Sequence, residues 1–464
     1  MKRRIFTTIF FTVTVLASSL SCTKFLDIKP YGKTIPETPE EFSALLHSHL
    51  EDFDEGSDIF WGTPDDAFYL EMVSDNFETT LTKYPLGNNL PVYIGSNIDS
   101  RSAIYGRIYS IIRDCNIVIG YINEDGSILS NDVLGTAYAL RGGVCYYKLL
   151  REYCEPCHDN MEGLGVPVVT EFDMEAKPTR SSIGETIRQI ESDYKKAMEY
   201  NIQDEIYRFN NDVLEALLAR LYFWSGDYGN AVVYARKVLE RHPLVEGKAY
   251  SDMVESQYAP KGEVIFKSCN LPGQSIRLNI SASNVSIKFK PVSRRFVSLF
   301  PEKENDIRYE LSFNKKRECG KCRQMSIRSS EMQLIVAESL YHTGDESGAL
   351  SALNELRSKR ISPFVPYTSE TLPAVDASEY IKTDAKGKEL TPLVGAILNE
   401  RRKELFCEGD RWYELKRNGR PEFWVAKQGR KYTTAKFLYT WPLPIDDILL
   451  VPGLVQNPGY EKTE

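Results

Sequence analysis

The sequence has little histidine, no excess of positive charge and no long hydrophobic run beyond its N-terminus. Five histidines are too few for a histidine-rich metal-binding tract. The formal charge of -8, from 57 Lys and Arg against 65 Asp and Glu, argues against a nucleic-acid partner, because neutralising phosphates needs a basic surface. After the N-terminus no stretch approaches about 18 consecutive apolar residues, so no membrane-spanning helix is predicted there.

What the sequence does contain is the composition of an ordinary globular protein, with 42% hydrophobic and 26% charged residues among 464. A chain of this length can hold two or three cores, or form one superhelical body. The HExxH, GxSxG, P-loop and dinucleotide-binding signatures are absent. The sequence therefore gives no indication of an enzyme.

The first 22 residues have the features of a bacterial lipoprotein signal. Three basic residues at 2–4 precede a largely apolar run over 5–16, and small residues at 17–19 lead to Cys22. A positive start, a short apolar core and small residues near a cleavage point describe a secretory signal peptide. A lone cysteine at that point resembles a lipobox, so residues 1–21 are predicted to be removed and Cys22 to be acylated. A plain signal peptide with an incidental cysteine is the alternative.

Apolar residues recur at three- and four-residue spacing in four stretches after residue 100, which is the pattern of amphipathic helices. The four patterns run from Ile104 to Ile122, Ala137 to Leu150, Ile183 to Ala197, and Leu214 to Trp224. The third is preceded by Ser182, which can close a capping box with Glu185 on the first turn.

Two segments match each other without a gap at an offset of 118 residues: LEALLARLYFWSGDYGNAVVYARKVLE over 214–240 and MQLIVAESLYHTGDESGALSALNELRS over 332–358. Each contains a helical pattern, a Gly-Asp turn and a second helical pattern. Small residues such as Ala219 and Ala337 let paired helices approach closely. This arrangement is typical of a tetratricopeptide hairpin, a unit that must stack on neighbours to bury its apolar face.

Two stretches do not follow this pattern. Residues 52–100 mix Gly, Pro, Asn and Asp with aromatic residues, and 243–327 contain strand-like runs such as Val264–Phe266. The predicted organisation is a signal peptide over 1–21 and a single body over 22–464, with helical repeats mainly at 101–242 and 328–418 and an irregular lobe mainly at 243–327 with 52–100.

Several segments, in order along the chain, resemble a known family. They are Lys24–Pro30, Glu71–Asn76, Leu140–Tyr153 followed by Gly165–Pro167, Glu331–Glu338, Asn399–Arg417, Trp441–Ile445 and Leu454–Tyr460. The strongest is NERRKELFCEGDRWYELKR over 399–417. Together these segments span essentially the whole mature chain, which resembles the SusD/RagB family of outer-membrane nutrient-binding lipoproteins.

The resemblance implies a mainly α fold, in which tetratricopeptide-like helical hairpins form a superhelix and an irregular α+β lobe packs against it. It also implies a lipid anchor at the cell surface, on the outer membrane. The implied role is to bind an oligosaccharide nutrient and deliver it to a SusC-like TonB-dependent transporter. Some members take peptides instead, and a tetratricopeptide groove that holds a protein partner is a further alternative.

The charged segment is the first place to look for catalysis. Glu400, Glu404 and Glu408 recur at four-residue spacing, which places three carboxylates on one face of a continuous helix over 400–417. A carboxylate pair can catalyse hydrolysis of a glycosidic bond. The alternative is a structural ion-pair network, formed with Arg401, Arg402, Lys403 and Arg411. Because the family has this motif without an enzymatic role, we predict the network and no catalytic residue.

Two C-x-x-C pairs stand where typical members of the family have none, Cys154 with Cys157 and Cys319 with Cys322. In an oxidising environment disulfides are the favoured prediction for them. Four thiolates at this spacing can also hold a structural zinc ion if the two loops meet. Cys154 begins a C-x-x-C-H haem c pattern, but no second axial ligand is evident. Three other cysteines fall in helical patterns and are predicted to be buried thiols: Cys115, Cys145 and Cys407.

The ligand site is predicted from its aromatic residues. Sugars present apolar C–H faces and hydroxyl edges, so their sites combine aromatic platforms with hydrogen-bonding side chains. Aromatic residues in irregular segments are better candidates than those on helices, which are usually buried. The predicted ligand-binding residues are Trp61, Tyr69, Tyr84, Tyr93 and Tyr258, with Arg277 as a polar neighbour.

Overall fold

Helices make up most of this fold. The computed structural model describes residues 36–58, 64–78, 99–158, 160–288, 290–321, 323, 326–427 and 430–460. The α-helices in these ranges are α1 (Pro39–Glu55), α2 (Pro64–Val73), α3 (Asp99–Tyr121), α4 (Ile128–Tyr138), α5 (Tyr147–Tyr153), α6 (Ile183–Tyr200), α7 (Asn211–Ser225), α8 (Tyr228–Arg241), α9 (Gly247–Glu255), α10 (Gln274–Lys288), α11 (Arg294–Val297), α12 (Ile307–Ser312), α13 (Ser329–Thr343), α14 (Glu346–Ser358), α15 (Pro392–Glu404), α16 (Asp410–Arg417) and α17 (Ile445–Leu450). A π-helical segment, Ala139–Tyr146, joins α4 to α5.

The strands are short and form two antiparallel pairs. In the first pair Phe266 lies opposite Ile327, and in the second Trp424 lies opposite Thr433. The strands are β1 (Val264–Lys267), β2 (Ser326–Arg328), β3 (Trp424–Lys427) and β4 (Arg430–Thr433). The strand-like run predicted at 264–266 is therefore confirmed, and the mainly α fold class is confirmed with it.

The two repeated segments form two helical hairpins, as predicted. Helices α7 and α8 make the first, α13 and α14 make the second, and α13 packs on both α8 and α14. In each hairpin the turn glycine is left-handed, with φ of 84° at Gly226 and 92° at Gly344. The following aspartate then caps the second helix: Asn230 N–H donates to Asp227 Oδ1 at 3.2 Å, and Gly348 N–H donates to Asp345 Oδ1 at 2.8 Å.

The amphipathic patterns at 104–122 and 137–150 are helical in the structure, the second with a π-helical interior. The capping box predicted for the third pattern is also present. Glu185 N–H donates to Ser182 Oγ at 3.1 Å, and Ser182 N–H donates to Glu185 Oε2 at 2.7 Å. Helix α6 consequently begins at Ile183.

Two sequence predictions about local structure are wrong. Residues 52–100 are not uniformly irregular, because α1 continues to Glu55 and α2 occupies 64–73. The helix predicted over 400–417 is interrupted by a turn at 405–409 that separates α15 from α16. Within this turn Cys407 and Gly409 have left-handed backbones, with φ of 65° and 76°, which a continuous right-handed helix excludes.

The apolar residues bury themselves in a large main core and a smaller second core. The main core runs through the hairpins, α3 to α6 and the C-terminal segment around Trp441. The second core is defined by Met72, Phe77, Ile287, Val292, Phe296, Phe300, Phe313, Cys319, Phe406 and Cys407. It fastens the end of α2 to the 405–409 turn, since Phe406 stacks on Phe296 at 4.2 Å and on Phe77 at 5.7 Å between ring centroids. Among the residues placed in this structure, no helix is long and apolar enough to cross a membrane.

Candidate ligand-binding site

An open cleft of about 250 Å³ lies beside the second core. Three parts of the chain line it: residues 74–78 after α2, residues 293–295 where α11 begins, and an aromatic wall made of Tyr380, Phe423 and Trp424. Its size approaches that of small-molecule sites, which are typically roughly 300 Å³ or larger. We refer to it below as the aromatic cleft.

The aromatic wall presents flat apolar surface to solvent. The rings of Tyr380 and Phe423 stack with their centroids 4.7 Å apart and their planes 7° from parallel. Phe423 is buried, whereas the next residue, Trp424, is 56% exposed. Successive residues of extended chain point to opposite sides, which explains why one ring packs inward and the other faces the cleft. An indole this exposed is a common feature of binding surfaces.

Charged side chains stand beside this wall. The guanidinium of Arg295 lies 3.4 Å from the centre of the Tyr380 ring and donates to the Ser378 carbonyl oxygen at 3.0 Å. Glu78 forms an ion pair with Arg317 at 2.8 Å and accepts a hydrogen bond from the Arg294 N–H at 3.0 Å. The cleft therefore combines an aromatic platform with donors and acceptors suited to hydroxyl groups.

Two arginines of the charged motif form the floor of the cleft. Arg411 Nε lies 2.7 Å from Asp75 Oδ1, and Arg402 Nη2 lies 3.2 Å from Asp75 Oδ2. The same two guanidinium groups contact Glu379, at 2.8 Å from Arg411 and 3.0 Å from Arg402. Burial opposes ionisation of Asp75, but Arg402 and Arg411 outweigh it and hold the pKa of that carboxyl well below its usual range. The motif thus ties the 74–78 segment to the loop that bears Tyr380.

The three motif glutamates belong to ion pairs. Glu404 is contacted by Arg328 at 2.7 Å and by Arg308 and Arg360 at 3.0 Å each. Burial raises its pKa, yet these guanidinium groups lower it further, to well below the usual value. Glu400 contacts Lys403 at 2.9 Å and also Arg308. All of these groups are buried. The predicted structural network is present, and these carboxylates are not arranged as a catalytic pair.

The partners in this network differ from those predicted. Only Lys403 among the four local cations pairs with one of the three glutamates in the described ranges, whereas Arg308, Arg328 and Arg360 come from distant segments. Neighbouring positions on a helix point in different directions. Arg401 accordingly reaches Asp410 at 2.6 Å, and Glu408, which lies in the 405–409 turn, contacts Arg328 at 2.9 Å.

The predicted ligand residues do not line the aromatic cleft in the described part of the chain. Trp61, Tyr84 and Tyr93 lie outside the described residues. Tyr69 is only 9% exposed and lies in the main core beneath the Arg101 guanidinium, 4.1 Å from its ring centre, so its ring is not available to a ligand. Tyr258 is half-buried and does lie against Arg277, at 5.3 Å, but away from the cleft-lining residues.

The structure does not bring the cysteine pairs together. Cys154 and Cys157 lie in the main core and Cys319 in the second core, while Cys22 and Cys322 are outside the described residues. A zinc site built from both pairs requires the two loops to meet. Within the described ranges, no cluster of three or more His, Cys, Asp or Glu side chains could hold a metal ion. Cys115 and Cys145 are buried thiols within helical segments, as predicted.

The residues that sequence reasoning missed are Arg295, Tyr380, Phe423 and Trp424. They are far apart in the sequence and meet only through the fold. One local signal was available: Phe423 and Trp424 are adjacent aromatic residues in a short stretch flanked by Gly419 and Gly429. Such a stretch is typical of a short exposed strand, on which one of two neighbouring aromatic residues must face solvent.

Comparison with known proteins accounts for both ends of the chain. A model of the SusD family matches residues 299–460. A second model, described as starch-binding associating with outer membrane, matches residues 24–223. SusD-like protein P38 of Formosa agariphila is 32% identical over 133 residues, a match that covers 29% of this chain and 24% of that protein. This chain therefore aligns with about a quarter of that relative's length.

Solved structures share the fold over nearly the whole chain. A SusD superfamily protein of Bacteroides thetaiotaomicron superposes with a TM-score of 0.68 at 20% identity, covering 91% of this chain and 100% of that one. A SusD-like carbohydrate binding protein of Bacteroides vulgatus gives 0.67 at 17% identity, covering 90% and 98%. A laminarin binding SusD-like protein gives 0.60 at 18% identity, covering 92% and 100%. With both family models, the motif segments and the fold in agreement, the chain belongs to the SusD family.

Proposed function

We propose that this protein binds an oligosaccharide in the aromatic cleft and delivers it to a SusC-like TonB-dependent transporter. In this proposal the protein is held at the surface of the outer membrane by acylated Cys22. The description of the family model over 24–223 as starch-binding and associating with outer membrane supports this location.

The observation that carries the proposal is the aromatic wall. The stacked Tyr380 and Phe423 rings with the exposed Trp424 ring offer a platform for the apolar C–H face of a sugar ring. Arg295 and Glu78, at the edge of the same cleft, offer a donor and an acceptor for hydroxyl groups. Two structural neighbours support the ligand class, because one is described as carbohydrate binding and another as laminarin binding.

The cleft is suited to capture rather than to hydrolysis. Its acidic residue Asp75 is held ionised by two guanidinium groups, so it is poorly placed to donate a proton to a glycosidic oxygen. SusD-like proteins are binding proteins, and we propose that the bound glycan leaves this one uncleaved.

Affinity electrophoresis and calorimetry with soluble protein that starts after Cys22 test the proposal. Laminarin, starch and a second set of soluble polysaccharides are screened beside a tryptic peptide mixture, and each bound glycan is recovered and sized. We expect at least one glycan to bind and to be recovered intact. Binding of peptides alone would replace the glycan with a peptide ligand, and shortened glycan would show an enzyme.

The anchor and the transporter are tested in cells. Palmitate labelling that is lost in Cys22→Ala, and recovery of an outer-membrane barrel with the wild-type protein from detergent extracts, are the expected results. A labelled but unpartnered protein would remove the delivery step and leave glycan binding unaffected.

A further inference from the structure

Two cysteine sulfurs meet in the second core. The Sγ atoms of Cys319 and Cys407 are 3.5 Å apart, although the residues are 88 positions apart in the sequence. Cys319 is 3% exposed and Cys407 is 0% exposed. Cys319 comes from the loop between α12 and β2, and Cys407 comes from the 405–409 turn that interrupts the charged motif.

The backbone around both residues is held in place. Arg323 N–H donates to the carbonyl oxygen of Cys407 at 3.0 Å, so the two segments are already paired. On the other side, Glu318 forms an isolated bridge with Pro291. A disulfide has an S–S distance of about 2.05 Å, so the sulfurs need to approach by roughly 1.5 Å. Side-chain rotation can provide an approach of this size.

We propose that Cys319 and Cys407 are joined by a disulfide bond in the mature protein. The proposal rests on the proposed surface location, because disulfides persist in oxidising compartments and are rare in the cytosol. It differs from the pairing that spacing alone favours, Cys319 with Cys322.

The chemistry is thiol–disulfide exchange with an external disulfide, such as that of a dithiol oxidoreductase or oxidised glutathione. The Cys319 thiolate attacks one sulfur of the oxidant and releases the other as a thiol. Cys407 then attacks the Cys319 sulfur of the mixed disulfide and releases the second thiol. The two cysteines lose two protons and two electrons, and the oxidant gains them. The hydrogen bond with Cys407 lowers the pKa of Cys319, which favours Cys319 as the first nucleophile.

Burial sets the time at which the bond forms. Because both sulfurs are shielded in the folded protein, exchange has to occur before the aromatic rings of the second core close over them. Once formed, the bond fastens the 405–409 turn to the loop that precedes β2. That turn lies between Arg402 and Arg411, the two arginines of the cleft floor, so the bond secures the base of the aromatic cleft.

Tryptic mapping tests the pairing directly. The chain is exported to the periplasm of an expression host, unfolded in N-ethylmaleimide without reductant, digested and analysed by mass spectrometry. Cleavage after Arg317, Lys321, Lys403 and Arg411 separates all the candidates: Cys319 lies in ECGK (318–321), Cys322 in CR (322–323) and Cys407 in ELFCEGDR (404–411). We expect ECGK joined to ELFCEGDR, and the pair to separate on reduction.

Two controls make the result specific. The same chain made in the reducing cytoplasm should carry maleimide on both cysteines, and Cys145, buried in the main core, should carry it in both preparations. Maleimide on Cys319 and Cys407 in exported protein, or ECGK joined to CR, would overturn the proposal. Glycan binding is measured on the same exported sample, so a missing disulfide with intact binding refutes only the disulfide.

Discussion

Glu71 and Asp75 lie four positions apart at the end of α2, yet their carboxyl groups are shifted in opposite directions. Asp75 faces the guanidinium groups of Arg402 and Arg411 and is held ionised. Glu71 is fully buried and accepts hydrogen bonds from uncharged donors, Asn76 Nδ2 at 2.9 Å and Gly409 N–H at 2.8 Å. Burial therefore dominates and raises the pKa of Glu71 to about 7.

The raised pKa of Glu71 predicts a pH dependence of stability. Between the ordinary value of 4.5 and about 7, the folded chain holds a proton that the unfolded chain has lost. Stability from this group is therefore present at pH 5 and is lost as the pH rises through 7. Relative to wild type, Glu71→Gln should gain about 2–3 kcal/mol in the free energy of unfolding between pH 5 and pH 8. Urea unfolding at both pH values measures this difference, and a gap between the two proteins that does not change with pH would contradict the assignment.

At the residue scale, sequence reasoning found the ligand class more readily than the ligand residues. Tyr69 was chosen from a stretch interpreted as irregular, but that residue lies on α2 and its ring is covered by Arg101. Trp424 contributes to the aromatic cleft because Tyr380 and Arg295 approach the same place from elsewhere in the chain. Such juxtapositions are tertiary, and no local pattern in a single sequence contains them.

At the scale of elements, local patterns were reliable where local forces decide. The two hairpins were predictable because apolar periodicity and the Gly-Asp turns agree with each other at each position. The charged segment from 400 to 417 keeps a helical pattern through the 405–409 turn, but tertiary contacts override it. Phe406 and Cys407 are drawn into the second core, and the Gly409 N–H is held by Glu71.

The 405–409 turn is predicted to depend on glycine at position 409. Gly409→Ala places a Cβ on a backbone with φ of 76° and should lower the free energy of unfolding by about 1–2 kcal/mol. The matched control is Gly120→Ala on the exposed end of α3, where an added Cβ meets nothing within 4 Å; it should raise stability by roughly 0.5–1 kcal/mol. Urea unfolding of the three proteins decides, and a Gly409→Ala protein as stable as wild type would show that the turn does not constrain this backbone.

At the scale of the whole molecule, the charged motif connects distant parts of the chain. Its side chains contact Asp75 after α2, Arg308 on α12, Arg328 at the end of β2, Arg360 after α14, and Glu379 in the loop before α15. Removing one partner from such a buried network leaves an uncompensated charge, which typically costs about 3–5 kcal/mol. This structural role explains why the motif was the strongest sign of the family in the sequence while it says nothing about the ligand.

The fold of the whole chain was predictable from the order of short motifs, because each motif marks a contact that the fold needs. The aromatic cleft was not, because its wall is built from Tyr380, Phe423 and Trp424, which lie outside most of those motifs. The family resemblance therefore identified the architecture and the class of ligand, whereas the position of the proposed binding surface required coordinates.

The most direct test of the proposed function is the dissociation constant of the best glycan from the screen, measured by calorimetry for wild type and Trp424→Ala. Truncating an aromatic contact of this kind typically costs about 1.4 kcal/mol or more, so Kd should rise at least about tenfold. Tyr121→Ala is the control, because Tyr121 is likewise exposed, at 61% against 56%, and lies on α3 away from the cleft-lining residues. Unchanged Kd in Tyr121→Ala with weakened binding in Trp424→Ala is the expected result. Equal affinity in wild type and Trp424→Ala would contradict the assignment of the aromatic cleft as the glycan-binding surface.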